Sequence, residues 1–224
     1  MKVKICGQTS VEDCAMSLAH GADYLGVVVD VPWTPRSLTV DQAKGIFEKF
    51  RPKTFMLTFN RQVDEAYLSA VEKLNPLALQ LTGHETPETA GLARASAGRA
   101  VYKSIHLPPS GEGDVDVASI QSRMEEYAKA GIDGFILDTS SAGMFGGTGK
   151  KSDWGLAARI VAVSPLPVFL AGGINPDNVA EAVKVPGISG IDLASGVEEE
   201  KGKKSEAKVA RLFSTIAETL KAGR

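Results

Sequence analysis

Eight times along the chain, a short run of β-branched and apolar residues gives way to a longer amphipathic stretch, and no other feature constrains the fold as strongly. The apolar runs are residues 2–6 (KVKIC), 24–29 (YLGVVV), 53–59 (KTFMLTF), 77–81 (LALQL), 100–105 (AVYKSI), 133–138 (DGFILD), 167–171 (PVFLA) and 188–193 (ISGIDL). Helical patterns follow them near 11–20, 40–49, 63–74, 86–96, 115–130, 154–163, 176–184 and 205–221. Two of these helices carry recognisable start signals. Thr39 with Gln42 has capping-box spacing, and Asn175 before Pro176 suits a cap followed by a first-turn proline. Parallel strands need crossover helices, and eight such units can close a sheet on itself, so the pattern predicts an α/β fold: a (β/α)8 TIM barrel, one domain over residues 1–224. A doubly wound open sheet is the rival, but no strand is followed by the GxGxxG turn that such folds use for dinucleotides.

Composition narrows the partners. The 25 basic and 27 acidic residues are mixed along the chain and leave a formal charge of −2, which provides no electrostatic footprint for nucleic acid or an anionic membrane. A small molecule is therefore the expected partner, while oligomeric state is left open. Two cysteines, Cys6 and Cys14, make neither a disulfide framework nor a zinc pattern, and they fit a reducing cytoplasm. The MKVKICG start has no long apolar segment behind its positive charges, and YLGVVVDV is too short to span a bilayer.

Barrel enzymes place their chemistry at the C-terminal ends of the strands. Cys6, Asp138, Gly172, Gly173, Asp192, Ser195 and Gly196 all fall at such ends. AGGINPDN and LASGVE follow the seventh and eighth runs, where backbone N–H groups near a helix start commonly hold phosphate, so a phosphorylated small molecule is expected. The Gly- and Ser-rich segment 137–154 reads as an ordinary connection or as a lid, with Lys150 or Lys151 meeting an anion on closure. Arg36, after the second run, is either a solvated charge or a fork for a carboxylate. His20 reads as surface, and His84 and His106 follow strands toward the mouth. No ligand spacing supports a metal. Gln80 faces inward or outward, and the charged run EEEKGKKSEAK, residues 198–208, reads as a solvated loop.

KICGQT, TPR, LQLTG, LDT with GGTGK, DW, AGGINPDNV and IDLASGVE occur in that order across the whole chain. As an ordered set they resemble the phosphoribosylanthranilate isomerases of tryptophan biosynthesis. The resemblance implies a (β/α)8 barrel, no cofactor, and an Amadori rearrangement of N-(5′-phosphoribosyl)anthranilate. It further implies Cys6 as general base, Asp138 as general acid and Arg36 on the anthranilate carboxylate. Asp192 would lie near the anthranilate nitrogen, and Gly172, Gly173, Ser195 and Gly196 would hold phosphate, with Gln80 in the substrate-binding set. Three departures stand out: QLTG where the family usually has QLHG, Ala194 where it has the first serine of SSG, and KSDW in place of KFDW. None deletes the implied acid or base. Thr82 and Ala194 motivate a second reading, a related phosphosugar isomerase or synthase. A barrel that only binds a phosphorylated metabolite ranks third, because both proton-transfer residues are present.

The implied pair raises a chemical difficulty. A thiolate beside a protonated carboxyl inverts the usual order of the two groups by about 4.6 units, or about 6 kcal/mol. Cys6 therefore needs a cation or backbone donors, and Asp138 needs desolvation. Lys4 lies two residues before Cys6, so strand alternation puts both on one face. An inward lysine needs a carboxylate. The expectation is that Lys4 lies near Cys6 or Asp192, because pairing with Asp138 would hold that acid ionised.

Overall fold

The computed structural model describes residues 1–108, 115–141, 144–145 and 153–222. Eight parallel strands form the frame: β1 (Lys2–Ile5), β2 (Tyr24–Val29), β3 (Thr54–Thr58), β4 (Ala78–Leu81), β5 (Ala100–Leu107), β6 (Gly134–Ser141), β7 (Val168–Leu170) and β8 (Gly190–Leu193). Each pairs with the next, and β1 pairs with both β2 and β8, so the sheet closes. The helices are α1 (Val11–Ala19), α2 (Val40–Phe50), α3 (Glu65–Leu74), α4 (Pro87–Ala97), α5 (Val117–Lys129), α6 (Trp154–Val163), α7 (Val179–Ala182) and α8 (Glu206–Ala222). The closed barrel matches the architecture expected from the alternating pattern.

Strand alternation divides the interior into two cores. Outward residues such as Val3, Ile5, Val27, Val101 and Leu170 pack against buried helix residues, including Ile46, Phe47, Ile160 and Leu212. Inward, four aromatic side chains plug the barrel in a ring: Tyr24 to Phe55 at 5.4 Å, Phe55 to Tyr102 at 5.2 Å, Tyr102 to Phe169 at 6.1 Å and Phe169 to Tyr24 at 6.2 Å between centroids. Gly134 and Gly190 make room for this layer. A Cβ at either would fall 2.6 Å from a ring atom of Tyr102 or Phe169. A floor this well filled leaves a ligand only the upper mouth.

Cap chemistry explains where the helices begin. Thr39 and Gln42 form the expected capping box, each side chain bonded to the other's backbone N–H. Ser10, Asp64, Thr86 and Asp153 accept from the N3 backbone of their helices. The expected cap at Asn175 is displaced. Its side chain accepts from the Asp177 N–H, Asn178 Oδ1 accepts from the Asn175 N–H, and the α-helix starts only at Val179. Asn side chains compete for backbone donors, so NPDN forms a turn and α7 is shorter than its sequence pattern.

Candidate active site

β1 delivers Lys4 and Cys6 to the inner face at successive heights. Lys4 is fully buried, and its Nζ donates to Asp192 Oδ2 of the neighbouring β8 at 2.8 Å. The lysine therefore meets one of its two expected neighbours through an ion pair, and Cys6 Sγ interacts with the same ammonium. Gly26 of β2 makes this arrangement possible. A Cβ there would lie 2.8 Å from Cys6 Sγ and 3.0 Å from Lys4 Nζ. A glycine inside an apolar strand signals such a close approach, although the sequence reading passed over it.

The charges compete at this point. Burial pushes the Cys6 thiol above its ordinary value, while Lys4 and Lys204 pull it down. Burial also works against the Lys4 ammonium, yet Asp192 and Cys6 more than offset it and raise Lys4 above the ordinary lysine value. Asp192 is buried, and its Oδ1 has no hydrogen-bond partner among the described residues. That oxygen is an acceptor held ready for a ligand N–H or O–H.

A cavity of about 560 Å³ opens at the C-terminal ends of the strands. Cys6 and Asp138 line it from β1 and β6, so the thiol and carboxyl face one compartment. Gly172, Gly173, Ser195 and Asp192 line it too. Gly172 and Gly173 have φ of +88° and +68°, so the turn after β7 exposes backbone rather than side chains. Gln80 resolves as inward, with Nε2 donating to Ser104 Oγ at 3.2 Å, and it also lines the cavity.

Arg36 lines the cavity but is neither solvated nor an open fork. Its Nε and Nη2 donate to both oxygens of Glu198 at 2.8 and 2.7 Å, leaving the Nη1 end for a ligand. Hydrogen bonding to Glu198 raises the Arg36 guanidinium above its ordinary value despite burial. Burial pushes the Glu198 carboxyl up, but Arg36 and Lys204 outweigh it and hold the group below the usual carboxylate range.

The structure changes several sequence expectations. Gly196 does not line the cavity; it stands behind the wall, where a Cβ would lie 1.9 Å from the Ile174 carbonyl oxygen. It lets the loops after β7 and β8 touch. Gly196→Ala should drive these loops apart and raise the dissociation constant for a phosphate-bearing ligand at least tenfold, measured by calorimetric titration. His106 lies within β5 with Nε2 bonded to the Thr82 carbonyl at 2.7 Å, and His84 sits on an exposed loop; neither lines the cavity. Lys150, Lys151 and most of the expected lid fall outside the described residues.

Comparison with known proteins decides the kinship. A family model described as N-(5'phosphoribosyl)anthranilate (PRA) isomerase matches residues 3–215. The chain belongs to this family. The N-(5'-phosphoribosyl)anthranilate isomerase of Methanocella arvoryzae is 34% identical over 220 residues, covering 97% of this chain and 99% of that protein. The solved phosphoribosyl anthranilate isomerase of Thermus thermophilus superposes with a TM-score of 0.78 at 31% identity, covering 97% and 99% of the two chains. A phosphoribosyl anthranilate isomerase in complex with reduced 1-(o-carboxyphenylamino)-1-deoxyribulose 5-phosphate gives a TM-score of 0.76 at 26% identity, with the same coverage.

Membership gives the geometry its chemical context. Thr82, where the family usually has histidine, lines the cavity together with Ala194. Neither departure removes Cys6 or Asp138. What the sequence reading missed is the contribution of Glu198 and Lys204. Both belong to a run expected to be solvated, yet both are buried.

Proposed function

We propose that this phosphoribosylanthranilate isomerase converts N-(5′-phosphoribosyl)anthranilate to 1-(2-carboxyphenylamino)-1-deoxyribulose 5-phosphate, with Asp138 as general acid and Cys6 as general base. The observation that carries the assignment of roles is that these two side chains, from β1 and β6, line one cavity whose wall includes the Gly172–Gly173 turn. In this reading the phosphate lies against Gly172, Gly173 and Ser195. The anthranilate carboxylate meets the Nη1 end of Arg36, while Asp192 Oδ1 accepts a hydrogen bond from the substrate.

The chemistry follows from that placement. Asp138 gives its proton to the furanose ring oxygen, the C1′–O bond breaks, and the anthranilate nitrogen lone pair forms the C1′=N bond of an iminium. The thiolate of Cys6 then takes the C2′ proton. The electrons of that C–H bond form C1′=C2′ and return the C=N pair to nitrogen. The resulting enolamine becomes the ketone by gaining a proton at C1′ and losing one from the C2′ hydroxyl. The substrate's own iminium accepts the electron pair in the step that breaks the C–H bond. One acid and one base therefore serve the two key proton transfers.

A phosphorylated substrate suits the glycine turn, and a small neutral-to-acidic protein has no electrostatic need for a polymeric partner. Among the described residues, no helix is long and apolar enough to cross a membrane. A cytoplasmic setting agrees with the two free cysteines. The decisive test is the decay of substrate fluorescence when purified protein is mixed with freshly made phosphoribosylanthranilate. Catalysed decay above the spontaneous rate is expected, whereas a rate equal to that of buffer would overturn the reading.

A further inference from the structure

Between β8 and α8 the chain makes a small antiparallel hairpin, in which Glu198–Glu200 pairs with Lys203–Lys204. Glu199, Glu200 and Lys203 are exposed and Lys201, also exposed, lines the cavity, but Glu198 and Lys204 are buried and face each other in register. Lys204 Nζ donates to Glu198 Oε1 at 2.8 Å, and the same carboxylate grips Arg36 through both its oxygens.

This hairpin lies across three loops of the barrel mouth. A Cβ on its turn glycine, Gly202, would come within 3.3 Å of the Pro35 carbonyl oxygen, in the loop after β2. Thr9, in the loop after β1, donates to the Gly202 carbonyl at 2.5 Å. Lys204 Nζ reaches the Ala194 carbonyl at 3.5 Å, after β8. Ala194 packs against the small inner cluster that contains Cys6, and the Cys6 N–H donates to the Leu193 carbonyl at 2.8 Å. The buried ammonium therefore stands one residue behind the backbone that carries the proposed base.

We infer that Lys204 is a positioning residue for the Cys6 thiolate, a second cation beside Lys4, held at its post by Glu198. This deepens the proposed proton-transfer reading and rests on it. The physical need is clear: a buried thiol resists ionising, and each nearby fixed positive charge lowers that cost. The charged groups around Cys6 are Lys4 on its own strand, Asp192 on β8, Lys204 on the hairpin and Arg36 after β2, with Asp138 of β6 and Lys201 of the hairpin lining the same cavity. Lys4 is neutralised by Asp192, which itself opposes the thiolate. Burial pulls the Lys204 ammonium below its ordinary value, while Glu198 and Cys6 push it back up; with both cations protonated, Lys204 and Arg36 on the one Glu198 carboxylate carry one net positive charge.

The test compares Lys204→Gln, which keeps hydrogen-bond donors but loses the charge, with Lys204→Arg, which keeps it, both in a Cys14→Ser background. The readout is the pH dependence of Cys6 alkylation by iodoacetamide in the free enzyme. In Lys204→Gln the midpoint should move up by about one unit, with kcat down about tenfold and KM changed less than about threefold. Lys204→Arg should restore most of both. An unmoved alkylation midpoint in folded Lys204→Gln protein overturns the inference, even if activity falls.

A reciprocal measurement covers the case in which Lys204→Gln does not fold. Coupling between two titrating sites is mutual, so the Lys204 side-chain NMR resonance should show a step as Cys6 ionises, and that step should vanish in Cys6→Ala. The same Lys204 titration in both proteins would overturn the inference. Neither readout requires turnover, so failure of this proposal is distinguishable from failure of the isomerase reading.

Discussion

Replacing Cys6 by alanine, or Asp138 by asparagine, is expected to lower kcat for phosphoribosylanthranilate about 10³-fold, with little change in KM. A positioned acid or base typically contributes between about 10² and 10⁴ in rate, and each residue serves a step that the other cannot. The two variants should still bind a reduced product analogue within about threefold of wild type by calorimetry, since the glycine turn and Arg36 are untouched. Loss of binding in parallel with kcat would mean that the side chains build the pocket rather than move protons. Asp138→Asn that retained more than a tenth of the activity would remove Asp138 from the acid role.

Lys4→Met should have the largest effect on stability, about 3–5 kcal/mol in urea unfolding, because it strands the buried Asp192 carboxylate without its cation. The sign of the pH dependence follows from the raised Lys4 value. A lysine whose folded value exceeds its unfolded one contributes its full stabilisation below the unfolded value, and loses it as pH rises through the folded value. The gap between wild type and Lys4→Met should therefore stay constant through neutral pH and close only in strongly alkaline solution. The double change Lys4→Met with Asp192→Leu should recover most of the stability, since an apolar pair leaves no buried charge uncompensated. Activity should not return with it. A single variant costing under about 1 kcal/mol would show that the ion pair does not hold the barrel centre together.

Particular residues show how far sequence reasoning reached. Alternation of two residues per turn of the strand was enough to send Lys4 inward with Cys6, and electrostatics then required a carboxylate that proved to be Asp192. The capping box at Thr39 was readable for the same reason: its bonds span three residues of one chain segment. The motif around Asn175 was harder, because several short polar side chains compete for the same backbone donors and only packing chooses among them. Arg36 was recognised as a cavity residue, but its partner lies 162 positions away. Nothing in the local pattern of the run around Glu198 separates two inward residues from their exposed neighbours, since all of them are charged.

Local periodicity, turn chemistry and the ordered motifs by themselves determined that this chain makes eight strand–helix units, closes them into a barrel and gathers Cys6, Asp138 and the glycine turns at one rim. Those properties depend on interactions within a few residues or on a repeat that reports its own architecture. Only the tertiary structure decided how the charges are shared: Lys4 with Asp192, Arg36 and Lys204 on one Glu198, and an empty place at Gly26 for the thiol. Burial sets the cost of each charge and folded neighbours set its compensation, and both are fixed by contacts between distant segments.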